Sequence, residues 1–253
     1  MAQRGTALVT GGSRRIGAAI VRDLAAHGFA VAIHYNRSPD EAEALADAIL
    51  AEGGRAAAVR ADLEDAVAAA HLVGAAQDAL GPVTLLVNNA SVFQDDSIAD
   101  FDLDQFERHF AVHLKAPSLI ASAMARRLPQ DAEGLIVNMI DQRVLSLTPR
   151  FYSYTLSKSA LWTATRTMAQ ALAPRIRVNA IGPGPTLPNE RQDQADFDAQ
   201  VAGLILGRGP ELAEFGATIR WMWENRSVTG QIVALDGGQH LAWETPDISG
   251  IAE

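Results

Sequence analysis

Residues 6–17 read Thr-Ala-Leu-Val-Thr-Gly-Gly-Ser-Arg-Arg-Ile-Gly, a short apolar strand that passes through a glycine-rich turn into a helix. In such a turn, backbone N–H groups approach a pyrophosphate closely, and the helix dipole favours the anion. The spacing is not G-x-G-x-x-G, and plain chain reversal is the alternative. If the turn binds a dinucleotide, four of its residues are expected to contact the cofactor: Gly11, Arg14, Arg15 and Ile16.

Beyond this turn, apolar strands alternate with helical patterns to the end of the chain. Further strands are predicted at 30–35, 55–60, 83–88, 134–140, 175–181 and 231–235, and helices at 16–27, 39–52, 63–80, 104–128, 152–173 and about 211–224. Continuous apolar strands between helices indicate a parallel sheet covered on both faces. The segment 182–210 is predicted as looser chain, with too little sequence after it for a second core. We therefore predict one doubly wound Rossmann domain over residues 1–253.

Composition narrows the possible partners. The chain has 253 residues with 21 Lys and Arg against 30 Asp and Glu, a net charge of −9, and no cysteine. An acidic surface disfavours nucleic acid, and the lack of cysteine excludes disulfides and cysteine-ligated metal. We expect no bound metal. No apolar run reaches the 18 residues of a membrane span, and the N-terminus does not resemble a signal peptide. A cytoplasmic location and a small-molecule substrate are therefore expected.

The end of the second strand indicates which nicotinamide cofactor is bound. It reads Tyr35-Asn36-Arg37-Ser38, with no carboxylate before Asp40 to bind a ribose 2′-hydroxyl. Together with Arg14 and Arg15, these side chains suit a 2′-phosphate. We therefore predict NADPH over NADH, although a solvated basic edge would give the same pattern.

Further candidate cofactor residues follow the next two strands at the same edge of the sheet. Asp62 and Leu63 follow the third strand and are expected near the adenine, whereas Asn89, Ala90 and Ser91 follow the fourth. Ligands of doubly wound sheets bind at these carboxyl ends. The asparagine can instead be a turn-forming amide without a ligand.

Tyr154 and Lys158 form the predicted catalytic pair. They are four residues apart at the start of a predicted helix, so that the phenol and the ammonium lie on the same face. A nearby ammonium stabilises phenolate, so we expect the pKa of Tyr154 to be lowered. The phenol then donates a proton while hydride arrives from the cofactor.

Taken together, TGGSRRIG, NNA, YTLSK and IGPG (residues 181–184) resemble the short-chain dehydrogenase/reductase family over nearly the whole chain. The resemblance implies strand order 3-2-1-4-5-6-7, usually a homotetramer, and a lysine that holds the nicotinamide ribose. It also implies that Pro183 and Gly184 lie at the cofactor and that a loop over about 185–209 covers the substrate.

Three positions depart from the general pattern of that family. Asp141 stands where a catalytic serine is usual, His113 where an asparagine is usual, and Arg15 where a glycine is usual. The aspartate is similar to that of the pteridine reductases, and the histidine to that of the bacterial dihydromonapterin reductases. This resemblance implies a Tyr154–Asp141 relay to a ring nitrogen, Phe93 stacked on the pterin, and Arg15 and Ser91 at its polar edge. The alternatives are a turn cap for Asp141 and a core anchor for Phe93. His113 is expected to be structural or part of a water relay near Lys158, in preference to direct substrate contact.

The leading hypothesis is an NADPH-dependent reductase of a dihydropterin such as dihydromonapterin or dihydrobiopterin, or of dihydrofolate. One alternative is a short-chain carbonyl reductase acting on a ketone, 3-oxoacyl or sugar substrate. Another is an NADP-binding sensor without catalysis, which the presence of both Tyr154 and Lys158 disfavours.

Overall fold

A computed structural model of the chain describes residues 4–188 and 192–244. Seven strands form one parallel sheet in the order β3-β2-β1-β4-β5-β6-β7, as predicted. The strands are β1 (Thr6–Val9), β2 (Ala30–Tyr35), β3 (Arg55–Arg60), β4 (Val83–Asn88), β5 (Gly134–Met139), β6 (Ile176–Pro183) and β7 (Ile232–Leu235). The order reverses between β1 and β4, and in doubly wound sheets the ligand crevice opens at this reversal.

Helices cover both faces of this sheet. They are α1 (Arg15–Ala26), α2 (Pro39–Ala51), α3 (Ala66–Leu80), α4 (Leu103–Phe110), α5 (Ala116–Arg127), α6 (Tyr152–Leu172), α7 (Gln194–Ala202) and α8 (Leu212–Glu224). Alternate residues of β1 belong to separate apolar clusters: Leu8 packs with α3 and α5, whereas Ala7 and Val9 pack with α1, α2 and α8. Burial on both faces explains why the strands are continuously apolar.

The helix predicted at 104–128 is interrupted. A π turn, Ala111–Lys115, separates α4 from α5. A π turn adds a residue to the helical repeat and often occurs at functional sites. Here it lies where His113 contacts the start of α6, so the interruption belongs to the site described below.

Other boundaries differ from those predicted for local reasons. The third helix begins at Ala66 and not at residue 63, because the Asp65 side chain accepts from Val67 N at 2.7 Å and caps it. The segment predicted as loose contains α7, which Asp193 caps in the same way. The β6 strand also extends to Pro183, two residues beyond its predicted end.

Among the described residues, none of the helices is both long and apolar enough to cross a membrane. In the same part of the chain, no group of His, Asp or Glu side chains has the arrangement of a metal site.

Candidate active site

A pocket of about 290 Å³ opens at the carboxyl ends of the strands. It brings together predicted residues that are far apart in the chain, namely Arg15, Ile16, Asn89, Ser91, Phe93, Asp141, Tyr154, Lys158, Pro183 and Gly184. Arg143, Leu187, Phe197 and Gln239 complete much of its wall.

The glycine turn before α1 has the shape of a phosphate cradle. Gly11 has a φ of +60°, and a Cβ there would lie 3.0 Å from Ala90 Cα. A Cβ on Gly17 would lie 2.1 Å from Gly11 O. Asn89 Nδ2 donates to Thr10 O at 2.9 Å and to Gly11 O at 3.0 Å, so its amide braces the turn. A tight turn at the start of a 12-residue helix fits the pyrophosphate of a dinucleotide.

His34 connects the glycine turn to the sheet through hydrogen bonds. The sequence pattern did not indicate this role. Gly11 N donates to His34 Nδ1 at 3.0 Å, so Nε2 carries the proton and donates to Ala61 O at 3.1 Å. Burial lowers the pKa of His34 to about 4, although Ala61 O and Asp62 oppose that shift. The neutral ring therefore links the ends of β1, β2 and β3.

Because His34 is buried in its neutral form, we expect the folded protein to lose stability in mild acid. The unfolded histidine titrates near 6.5 and the folded one near 4, so below pH 6.5 the unfolded chain binds the extra proton. His34 alone is expected to remove about 3 kcal/mol of unfolding free energy between pH 6.5 and 4. Urea unfolding at both pH values measures this, and His34→Gln should reduce the pH dependence. An unchanged dependence in that variant would contradict the role of His34.

The predicted 2′-phosphate site lies at the end of β2. Arg14 and Arg37 are exposed there, and Arg14 lies 3.9 Å from Glu41. Ser38 is buried, and its Oγ lies 2.7 Å from Ser13 Oγ. Tyr35 and Asn36 are partly buried beside them.

The residues predicted near the adenine lie one strand further along. Asp62 is exposed and accepts from Glu64 N at 3.0 Å, while Leu63 is 5% exposed and packs in the apolar cluster with α3 and α5. Their contact with adenine remains a prediction.

Asp141 and Tyr154 are directly hydrogen bonded. Tyr154 OH donates to Asp141 Oδ2 at 2.8 Å. Asp141 Oδ1 accepts from Arg143 N at 2.8 Å and caps the 3₁₀ turn Gln142–Val144. The carboxylate therefore acts as a turn cap through one oxygen and binds the phenol through the other, so the two interpretations of Asp141 are compatible.

The expectation that Lys158 lowers the pKa of Tyr154 is wrong. Burial raises the pKa of Tyr154 well above its usual value, and the charge and hydrogen bond of Asp141 raise it further; only Arg143 and Ser91 act in the opposite direction. Burial also lowers the pKa of Lys158 to about 8, against the charge of Asp141. Lys158 Nζ donates to Met139 O at 2.8 Å and lies 5.7 Å from the centre of the Tyr154 ring. The phenol is therefore a protonated donor at neutral pH.

His113 joins the loop after β4 to α6. Val92 N donates to His113 Nε2 at 3.1 Å, so the proton of the neutral ring is on Nδ1, which lies 2.8 Å from Ser157 Oγ. Ser91 Oγ lies 3.0 Å from the same Nε2. Burial, followed by the charge of Lys158, lowers the pKa of His113 well below its usual value. These contacts fit the structural role, one of the two roles expected for this residue, and the water relay stays a prediction.

Arg143 is a pocket residue that the sequence analysis missed. Its Nη1 lies 3.2 Å from Asp141 Oδ2, and its guanidinium lies 5.4 Å from the centre of the Phe93 ring and 5.0 Å from that of Phe151. The rings of Phe93 and Phe151 are stacked with their centroids 4.4 Å apart, and Phe93 contacts Tyr154 edge-on with a centroid distance of 4.8 Å. Because Arg143 follows Asp141 by two residues, the available signal was a second charged residue just after β5.

Arg15 links the phosphate turn to the loop after β6. Its φ is +52°, an unusual conformation where a glycine was expected. Arg15 Nη2 donates to Pro188 O at 3.0 Å. Residues 189–191 of the predicted substrate loop, and the tail from residue 245, lie outside the described residues.

The short-chain dehydrogenase sequence family matches residues 5–198, which is most of the chain. The chain belongs to the short-chain dehydrogenase/reductase family. A 3-oxoacyl-[acyl-carrier-protein] reductase of Synechocystis is 29% identical over 236 residues, covering 92% of this chain and 95% of its own.

Two solved structures are much more similar to this chain. FolM alternative dihydrofolate reductase 1 from Brucella suis, in complex with NADP, is 64% identical with a TM-score of 0.96, covering 98% of this chain and 100% of its own. The Brucella canis protein, also with NADP, is 63% identical with a TM-score of 0.96, covering 98% of both chains. These relatives and the fitting cradle identify the chain as an NADP-dependent reductase, so the prediction of an NADP-linked oxidoreductase is confirmed.

Proposed function

We propose that this enzyme reduces a dihydropterin, such as dihydromonapterin or dihydrobiopterin, or dihydrofolate, to the tetrahydro form. The observation that carries the proposal is the 2.8 Å hydrogen bond from Tyr154 OH to Asp141 Oδ2. A carboxylate in this position accepts a hydrogen bond and cannot donate one to a substrate carbonyl oxygen, as a serine can. The similarity to the two FolM dihydrofolate reductases supports the same substrate class.

The reaction divides between the cofactor and the protein. NADPH supplies a hydride, which adds to the carbon of the pterin C=N bond. The π electrons move to the nitrogen, which takes the proton of the Tyr154 hydroxyl. Burial keeps that hydroxyl protonated at neutral pH, and the nitrogen becomes strongly basic as hydride arrives. Before the transfer, Asp141 holds the phenol in place by accepting its hydrogen bond. The single hydroxyl hydrogen then turns from Asp141 Oδ2 to the nitrogen, and Tyr154 regains a proton from solvent.

The remaining pocket residues are assigned by position. Phe93 lies at the wall beside the Tyr154 ring, in reach of a flat bicyclic substrate. Arg15 and Ser91 line the same pocket as Phe93, and we assign them to the polar edge of the pterin and the cofactor phosphates. Lys158 is assigned to the nicotinamide ribose, and Pro183 and Gly184 to the neighbouring cofactor wall.

Steady-state NADPH oxidation by the purified protein tests the proposal. The panel is dihydromonapterin, dihydrobiopterin, dihydrofolate and, as the competing class, a 3-oxoacyl thioester. We expect kcat/KM for at least one pterin or folate to exceed kcat/KM for the thioester. Turnover of the thioester without any pterin or folate would favour the carbonyl reductase alternative.

The same assay tests cofactor preference. Arg14 and Arg37 provide cations, and residues 35–39, at the end of β2, include no carboxylate to bind a 2′-hydroxyl. We expect kcat/KM to be about tenfold or more higher with NADPH than with NADH, since a lost charge-assisted bond costs about 1.5–3 kcal/mol. Arg37→Ala should weaken NADPH use and leave NADH use nearly unchanged. Equal efficiency of the parent enzyme with both cofactors would contradict the assignment of these residues.

A further inference from the structure

Arg143 lines the pocket and contacts the carboxylate that accepts a hydrogen bond from the proton donor. Its backbone N–H and its Nη1 both bind Asp141, at 2.8 Å to Oδ1 and 3.2 Å to Oδ2. Oδ2 is also the atom that accepts from Tyr154 OH. The guanidinium, the carboxylate and the phenol therefore form one continuous chain of hydrogen bonds.

The position of Arg143 is held by aromatic packing as well as by the ion pair. The guanidinium lies against both rings of the Phe93–Phe151 stack. Its side chain is 20% exposed, and its Nε is buried without a hydrogen-bond partner. A cation kept partly out of water in this way acts on its neighbours with little screening.

Charge balance defines the task that such a cation can perform. When Tyr154 gives its proton to the substrate nitrogen, the phenolate oxygen is left 2.8 Å from a carboxylate oxygen. Two adjacent anions in a buried site are unfavourable unless a cation faces them. Lys158 is one such cation, but its Nζ donates to Met139 O. Arg143 directly contacts the Asp141 oxygen that the phenol also contacts.

We propose that Arg143 is a positioning residue for proton transfer, which holds Asp141 against Tyr154 and offsets the negative charge left on that pair. In the balanced step, hydride from NADPH bonds to the substrate carbon, the proton of Tyr154 bonds to the nitrogen, and NADP⁺ and the phenolate remain. The proposal rests on the reductase chemistry given above but not on which substrate class is correct.

Several titratable groups face Tyr154 from different elements. They are Asp141 and Arg143 on the 3₁₀ turn, Lys158 on its own helix, and His109 and His113 on α4 and the π turn. The charge of Arg143 lowers the pKa of Tyr154, so removing this cation favours the protonated phenol. The pH profile of kcat should therefore move to higher pH.

The test compares Arg143→Met with Arg143→Lys and Arg150→Met, using a substrate that the parent enzyme reduces. Arg150 is a matched control, because it also lies over Phe151, at 5.3 Å, but pairs with Asp95 and has a 70% exposed side chain. Arg143→Met should lower kcat at least about tenfold and move the pH profile to higher pH, with KM and NADP⁺ affinity within about threefold of the parent values. Arg143→Lys should restore the position of the profile and part of kcat. Arg150→Met should match the parent enzyme.

Two results would overturn this role. One is an Arg143→Met enzyme with parental kcat and pH profile; the other is an equal loss in Arg143→Met and Arg150→Met, which would indicate loop packing alone. Thermal unfolding of each variant identifies a general loss of fold. A parent enzyme that reduces only the thioester contradicts the pterin proposal and leaves this test intact.

Discussion

Tyr154→Phe is expected to lower kcat for dihydropterin reduction by about a thousandfold, within the range typical of a lost general acid. The substitution removes only the hydroxyl that donates to Asp141 Oδ2 at 2.8 Å. The ring stays edge-on to Phe93 and near Lys158, so KM should change little. A fall in kcat and kcat/KM together indicates an interaction made in the transition state.

Tyr152→Phe provides the matched control. Tyr152 begins the same helix, α6, two residues before Tyr154, and is not part of the pocket wall. The Tyr152→Phe enzyme should therefore have the same kcat as the parent enzyme. Single-turnover NADPH oxidation separates the chemical step from product release in both variants. Retention of most activity by Tyr154→Phe would show that another group delivers the proton.

Asp141→Ser is expected to separate pterin from carbonyl chemistry. It restores the residue that is usual for carbonyl reduction and removes the carboxylate that orients Tyr154. Dihydropterin reduction should fall about a hundredfold, whereas any 3-oxoacyl reduction should be unchanged or improved. The variant also leaves Arg143 without its ion-pair partner, so part of the pterin loss arises through that cation.

The measurement is the ratio of kcat/KM for the two substrate classes in the parent enzyme and the variant. Asp141→Asn is the companion variant, since it keeps the side-chain shape and removes the charge. A ratio that Asp141→Ser leaves unchanged would contradict a pterin-specific role for the carboxylate.

The parallel sheet and the position of the site could be predicted from local sequence patterns, whereas the order of the strands was implied by the family resemblance and is confirmed. Apolar runs between helices gave the parallel sheet, and the turn at Gly11 placed the cofactor site at its carboxyl edge. The substitution of aspartate at position 141 was visible because it lies 13 residues before Tyr154.

Other features depend on contacts across the fold and carry no periodic signal. His34 appears as an ordinary strand residue until Gly11 N and Ala61 O are seen beside its ring. The π turn that contains His113 has one more residue in its hydrogen-bonded repeat than an α-helix has. The pKa of Tyr154 was predicted from a lysine at helical spacing, yet burial and Asp141 dominate it. The homotetramer, the cytoplasmic location and the role of the loop over about 185–209 stay predictions.

Isotope transfer from NADPH shows whether the enzyme delivers hydride to a pterin ring. NADPH deuterated on the transferred C4 position is mixed with a dihydropterin or dihydrofolate, and the product is analysed by mass spectrometry and NMR. We expect a tetrahydro product with deuterium on the carbon of the former C=N bond, and almost none with Tyr154→Phe. NADPH oxidation without deuterium in any tetrahydropterin or tetrahydrofolate would show that the hydride does not reach a pterin ring.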